Sequence, residues 1–157
     1  MMIAQHLLPL LVVCPVLLAC AWTDVRLMRI PNALVIAALA VFVVMIPAIG
    51  LETALWRLLA GAVTFAFCFG LFAARLIGGG DAKLFPVMIL FVPVSLHAEF
   101  MIVFSFSMAI CMALVMATKR VVQATEGSGW KSMDPGRKFP MGTAFAMSAV
   151  AFLLLAH

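Results

Sequence analysis

Long apolar runs, separated by short polar stretches, are the feature that most restricts how this chain can fold. Apolar residues make up 67% of its 157 residues and charged residues only 10%. Soluble domains contain roughly 45–50% apolar and 25% charged residues. Because a soluble domain of this length cannot bury so much apolar surface, the sequence predicts an integral membrane protein, folded as one domain over residues 1–157.

Six apolar runs predict an all-α, polytopic membrane protein with about six transmembrane helices, since a spanning helix needs about 20 apolar residues. The runs cover approximately residues 3–22, 33–50, 54–77, 84–96, 100–118 and 141 to the C-terminus. The fourth run is short for a span and contains two prolines, so we expect it to be kinked or shifted. Between the second and third runs, Leu51-Glu52-Thr53 is predicted to form a short turn.

Basic residues are distributed unevenly between the polar stretches. On the side reached by the even-numbered runs, the only basic residue is Arg57, just inside the third run. Nine basic residues follow the first, third and fifth runs: Arg26, Arg29, Arg75, Lys83, Lys119, Arg120, Lys131, Arg137 and Lys138. Lys and Arg concentrate on the cytoplasmic side of membrane proteins. We therefore expect those stretches in the cytoplasm and both termini outside. The net charge of +4 is modest and explained by this placement, so no nucleic-acid partner is expected.

Two carboxylates follow odd-numbered runs. Asp24 closes the first run and Asp81 follows the third, so two crossings separate them and both should lie at the cytoplasmic face at similar depth. Two carboxylates that share one proton can hydrolyse a peptide: the anion activates water, and the acid polarises the scissile carbonyl. The other acids lie in outer turns or in the long polar stretch: Glu52, Glu99, Glu126 and Asp134.

Three glycines, Gly78 to Gly80, immediately precede Asp81. Glycine permits close backbone approach and dihedral angles that other residues avoid. Irregular backbone at membrane depth is tolerated only where it is buried or lines a wet cavity, so we expect an irregular segment beside a cavity. The alternative is a flexible helix cap with a solvated Asp81. For Asp24 the alternative is a headgroup-level charge paired with Arg26.

The remaining polar and sulfur-containing residues offer no second site. All four cysteines lie inside apolar runs and none forms a CxxC pair, so neither a metal site nor a disulfide framework is predicted, and no cofactor is expected. The three histidines lie at outer ends or at the terminus and receive no role. The basic stretch 119–140 is expected to bind headgroups, with a lid or substrate-docking element as the alternative.

Two motifs taken together resemble the type IV prepilin peptidase family, whose members are membrane aspartic proteases of the GxGD type. The first motif runs from Asp24 to the triplet Ile30-Pro31-Asn32, and the second is Gly78-Gly79-Gly80-Asp81-Ala82-Lys83-Leu84. Met28 stands where a second basic residue is frequent in the family. Arg137-Lys138-Phe139-Pro140-Met141-Gly142 looks like a degraded form of the family's late Pro-phi-Gly element.

The resemblance implies that Asp24 and Asp81 are catalytic and that Gly78, Gly79 and Gly80 shape the segment that holds Asp81. It extends the active-site or substrate-binding set to Lys83, Arg29, Pro31 and Asn32. Apart from the resemblance, the chemistry of these residues predicts that Lys83 counters Asp81 or extends to the interface and that Arg29 anchors the cytoplasmic side. Pro31 suits the first turn of the second span, and Asn32 could satisfy loose backbone groups.

The implied reaction removes a short basic leader from prepilins or pseudopilins at the cytoplasmic face of the inner membrane. Long family members also methylate the new N-terminus through a domain with paired CxxC motifs. This sequence shows neither, so cleavage without a methyltransferase domain is expected. In its compact size the chain is similar to the peptidases of Flp/Tad-type pili or to archaeal preflagellin peptidases. The Ile-Pro-Asn triplet favours the former. The substrate, the oligomeric state and the separation of the two carboxylates are left open.

Two other functions compete with proteolysis. A small transporter or channel component would use the paired acids to carry protons or cations, as intramembrane acids often do. Such acids should lie near the middle of the bilayer, whereas Asp24 and Asp81 lie at run boundaries beside basic residues. A catalytically inactive assembly factor is disfavoured because both aspartates are present.

Overall fold

In a computed structural model, residues 2–124 and 141–155 are described, and all their regular structure is helical. The prediction of an all-α, membrane-type fold is confirmed. The elements are α1 (Met2–Leu27), α2 (Asn32–Ile49), α3 (Leu51–Ala73), α4 (Gly79–Phe91), a 3₁₀ turn (Val94–Leu96), α5 (His97–Ala124) and α6 (Met141–Leu155).

Four helical segments in the described part are long and apolar enough to cross a membrane. They are Leu7–Leu27, Asn32–Ile49, Leu51–Ala73 and Val94–Thr118, and the shorter Met141–Leu155 is also apolar. Their outward sides carry exposed apolar side chains such as Leu11, Val44 and Phe67. These exposed apolar surfaces fit contact with lipid hydrocarbon rather than with water.

The centre of the bundle is α4, the helix of the fourth apolar run. It packs along α3 and also contacts α1, α2 and α6, and its residues from Pro86 to Phe91 are all buried. This part of the helix is apolar on every side, and a helix of that kind is expected to be buried on every side. The helix is shifted relative to the run, because it begins at Gly79 and ends at Phe91 instead of covering residues 84–96.

The C-terminal end of α4 lies inside the bundle. Its 13 residues extend about 20 Å, short of the roughly 30 Å hydrocarbon core. The buried Arg57 reaches this end from α3, and its Nη1 donates to the carbonyl oxygens of Leu90 (3.4 Å) and Phe91 (3.2 Å). His97 Nε2 lies 3.2 Å from the carbonyl oxygen of Val92. These contacts supply partners to carbonyls that have none within the helix.

Beyond α4 the chain continues through Pro93 and a 3₁₀ turn rather than through regular α-helix. Pro93 and the 3₁₀ turn border a cavity of about 620 Å³ that is also lined by Glu52, Thr53 and Trp56. This segment therefore reaches the level of the first turn of α3, at the opposite end of the bundle from Gly79. Residues 79–96 thus connect the two ends of the bundle.

Two turn predictions are wrong. Leu51, Glu52 and Thr53 form the first turn of α3, and Gly50 alone separates α2 from α3. Gly50 has φ 83° and ψ 148°, a region open to glycine but costly for other residues, so one residue suffices for the turn. Glu99, expected in an outer turn, lies in the first turn of α5, a helix that begins at His97 and continues into the polar stretch as far as Ala124. The rest of that stretch, which carries the expected headgroup binding and the alternative lid or docking element, lies outside the described residues.

Candidate active site

One end of the bundle, called here the site end, is formed by the last turns of α1 and α3 and the first turns of α2, α4 and α6. Contacts between these turns define it. The position that a Cβ would take on Gly80 lies 3.4 Å from Ile30 Cδ1, and the same position on Gly79 lies 3.2 Å from Phe72 Cε2. The first turn of α6 contacts Asp24 through Gly142. Asp24 and Asp81 therefore lie at the same end of the bundle.

Asp24 lies within α1, because the helix continues beyond the apolar run to Leu27. Its side chain is 7% exposed, and its Oδ2 accepts a hydrogen bond of 2.7 Å from the backbone N–H of Gly142. The N–H groups of a first helical turn have no partner within their own helix. The Arg26 guanidinium instead lies 5.6 Å from the centroid of the Trp22 ring. The structure thus pairs Asp24 with α6 rather than with Arg26.

Asp81 lies in the first turn of α4 and is half-buried. The expectation of irregular backbone here is wrong, because Gly79, Gly80 and Asp81 are all helical and Gly78 precedes them with φ −73° and ψ 149°. Gly78 is the N-cap of α4, a position at which glycine is among the preferred residues. An acid in the first turn is also stabilised by the helix dipole.

None of the three glycines before Asp81 is required by an unusual dihedral angle. Among the described glycines, positive φ occurs at Gly50 and not at Gly78, Gly79 or Gly80. A Cβ on Gly78 would lie 2.7 Å from Asp81 Oδ2. A Cβ on Gly79 would also be tight, whereas a Cβ on Gly80 would make ordinary van der Waals contact, so lack of space explains Gly78 and Gly79 but not Gly80.

A hydrogen bond joins the two sequence motifs. Lys83 Nζ donates to Asn32 Oδ1 over 3.1 Å, so α4 is linked to the first residue of α2. The side chain of Asn32 therefore accepts a hydrogen bond from another side chain. The sequence had suggested that it would satisfy loose backbone groups. Pro31 precedes α2 with φ −62° and ψ 137°, and Arg29 is exposed on the connection between α1 and α2.

A cavity of about 590 Å³ opens beside the glycines. It is lined by Phe72, Ala73, Arg75, Ile77, Gly78 and Gly79, and its volume lies within the range typical of ligand sites. Within residues 2–124 and 141–155, no three His, Cys, Asp or Glu side chains cluster as metal ligands would.

Three neighbours of the predicted site residues are not evident from the sequence. Ile30 is an apolar residue of the Ile30-Pro31-Asn32 triplet, and only packing brings it against Gly80. Phe72 is an apolar residue of the third run, and only packing brings it against Gly79. Gly142 belongs to the late Pro-phi-Gly-like stretch, which is the one signal that singles it out.

Comparison with known protein families matches residues 11–117 to the type IV leader peptidase family. The match covers more than half of the 157 residues and includes both Asp24 and Asp81, whereas Gly142 lies beyond it. No curated protein and no solved structure matches the chain.

Proposed function

The chain belongs to the type IV leader peptidase family, and from that premise we propose that it is a membrane aspartic endopeptidase. Its substrates are prepilins or pseudopilins, from which it removes the short basic leader at the cytoplasmic face of the inner membrane. Asp24 and Asp81 are its catalytic residues, and it does not methylate the new N-terminus.

The observation that carries this proposal is the shared location of the two carboxylates. Asp24 lies near the end of α1 and Asp81 at the start of α4, and these two helices contact each other. The same end of the bundle holds the cavity beside Gly78 and Gly79. A protease needs these three components together: two carboxylates, a path for water and room for an extended peptide.

The chemistry follows from one proton shared by two carboxyl groups. The ionised carboxylate takes a proton from a water molecule, whose oxygen attacks the scissile carbonyl carbon. The protonated carboxyl donates a hydrogen bond to the carbonyl oxygen, which gains negative charge. When the tetrahedral intermediate breaks down, the C–N bond cleaves and a carboxyl group delivers the proton to the leaving amine. The pair is then ready for another water molecule.

Charge suggests how the substrate lies at the site. Arg75 borders the cavity beside the glycines and would repel a basic leader. We therefore infer that the cavity receives the residues around the scissile bond, while the basic leader residues remain at the anionic headgroups that attract them. Gly78 and Gly79 present no side chain to this cavity, so a substrate backbone can approach closely.

Transport is less well supported than proteolysis. Transport acids are expected within the bundle near the middle of the bilayer. Asp81 lies in the first turn of α4 and Asp24 lies three residues before the end of α1, so neither carboxylate is near the middle of its helix.

The test is co-expression with a pilin precursor that carries a basic leader, with the precursor's size followed on a gel. Asp24→Asn and Asp81→Asn should each abolish processing while the protein remains in the membrane, because an amide has nearly the carboxylate's shape but cannot exchange its proton. Glu52→Gln, at the opposite end of the bundle, should process normally. Full processing by either aspartate variant contradicts the dyad, and a wild type that cleaves no precursor favours transport.

A further inference from the structure

Gly142 contacts Asp24 in two ways, through its N–H group and through its missing side chain. The N–H group donates the 2.7 Å hydrogen bond to Asp24 Oδ2, and this bond is buried. Gly142 is the second residue of α6, a helix that packs closely against α1. A hydrogen bond to a carboxylate is shorter and stronger than one between neutral groups.

The space at Gly142 is too small for any other residue without movement of α1 or α6. A Cβ placed there would lie 2.8 Å from Asp24 Cβ, 3.0 Å from Asp24 Oδ2 and 3.2 Å from the carbonyl oxygen of Cys20. The first and last of these atoms are on or next to the backbone of α1, so they cannot rotate away. Gly142 does not have a positive φ, so space rather than conformation requires the glycine.

We propose that Gly142 is a positioning residue for Asp24. Its N–H group holds one carboxylate oxygen, which sets the plane of the carboxylate and leaves the other oxygen for water or for the second carboxyl. Its lack of a side chain allows α6 to come close enough for this bond to form. The proposal rests on the function proposed above, in which Asp24 is catalytic.

Positioning matters here because the chemistry depends on two carboxyl groups from different helices. Asp24 is attached to α1 through a side chain with two rotatable bonds, and the bond from Gly142 restricts both. Displacement of a catalytic group by about 1 Å can cost on the order of 100-fold in rate. A methyl group at position 142 displaces Asp24, α6 or both.

The first experiment compares Gly142→Ala with Gly70→Ala in the full-length protein, using a precursor peptide as substrate. We expect kcat of Gly142→Ala to fall by about 10- to 100-fold. KM should stay within about twofold of wild type, because the substrate cavity lies between α3 and α4. Gly70→Ala should match wild type, since no neighbouring atom lies within 4 Å of the added Cβ. Equal kcat values for the two variants would overturn the proposal.

The second experiment tests the contact itself, without catalysis. The Tm of the purified protein is measured for wild type, Gly142→Ala, Asp24→Gly and the double variant. Removal of the Asp24 side chain deletes two of the three close atoms, so Gly142→Ala should lower Tm less in the Asp24→Gly background. An equal decrease in both backgrounds overturns the proposal and leaves the proposed function intact.

Two further outcomes are also decisive. If Gly142→Ala does not accumulate in the membrane, its recovery in the Asp24→Gly background supports the proposal, and failure in both backgrounds overturns it. If the wild type cleaves no precursor, the proposed function fails and positioning for catalysis fails with it. The Tm cycle then reports only whether Gly142 and Asp24 are in contact.

Discussion

The three consecutive glycines at the start of α4 differ in how much space each leaves for a side chain. A Cβ would lie 2.7 Å from the nearest atom at Gly78, 3.2 Å at Gly79 and 3.4 Å at Gly80. The last distance is ordinary van der Waals contact, whereas the first forces an atom to move. The atom that would move at Gly78 is Asp81 Oδ2, the end of a flexible side chain. A methyl group there should disturb the proposed catalytic group without disturbing the fold.

Gly78→Ala is therefore expected to reduce precursor processing by about tenfold or more with little change in Tm, while Gly80→Ala remains close to wild type in both. The measurement pairs initial rates of processing with thermal unfolding of the same preparations. The result that would contradict this reasoning is a Gly80→Ala variant that is less active than Gly78→Ala.

At the scale of elements, α4 is a short helix whose C-terminal end is capped by a cation from its neighbour. Arg57 is 0% exposed and donates to the carbonyls of Leu90 and Phe91, where a positive charge also complements the helix dipole. Charge counting along the sequence identified Arg57 only as the exception to the cytoplasmic bias of basic residues. The packing of α3 on α4 explains why a cation is retained at this depth.

Arg57→Met should lower the free energy of unfolding by about 1.5–3 kcal/mol, the range for a hydrogen bond to a charged group. Arg57→Lys should lose less, because an ammonium group keeps the charge and part of the hydrogen bonding. Processing per folded molecule should persist, since Asp81 lies at the other end of α4. Leu59→Met, at an exposed site on the same helix, serves as the control. Equal stability of Arg57→Met and wild type would show that the cap is dispensable.

At the scale of the whole molecule, the distribution of basic residues predicts the orientation in the membrane. Helix packing brings Asp24 and Asp81 together at the site end. The site end carries Arg29, Arg75 and Lys83, whereas the opposite end carries Glu52 and Glu99. Basic residues favour the cytoplasmic side, so this asymmetry predicts that the site end faces the cytoplasm.

Cysteine labelling tests that orientation. In a background without the four native cysteines, Glu52→Cys should react with a membrane-impermeant maleimide in intact spheroplasts. Leu76→Cys, exposed near the site end, should react only after the membrane is permeabilised. Each variant should still process precursor, which shows that it is folded. The opposite labelling pattern would place the site end outside.

The sequence by itself determined the all-α membrane class and the approximate positions of the helices. Lipid hydrocarbon requires apolar side chains and internally satisfied backbone groups, and both requirements are readable along the chain. It also singled out Asp24 and Asp81, because the number of crossings between two residues depends only on the runs between them. Helix ends were less predictable, since α1 continues past its apolar run to Leu27 and α4 begins at Gly79.

Only the tertiary structure decided how the helices pack and therefore what surrounds each predicted site residue. It brought Gly142 against Asp24 across 118 residues of sequence and joined Lys83 to Asn32 across 51. It also placed α4 at the centre and showed that Gly78 and Gly79, unlike Gly80, lack the space for a side chain. Hydropathy and charge belong to single residues, and the bilayer acts on each of them separately. Helix packing depends on the shapes of many side chains at once, so distant parts of the chain determine it together.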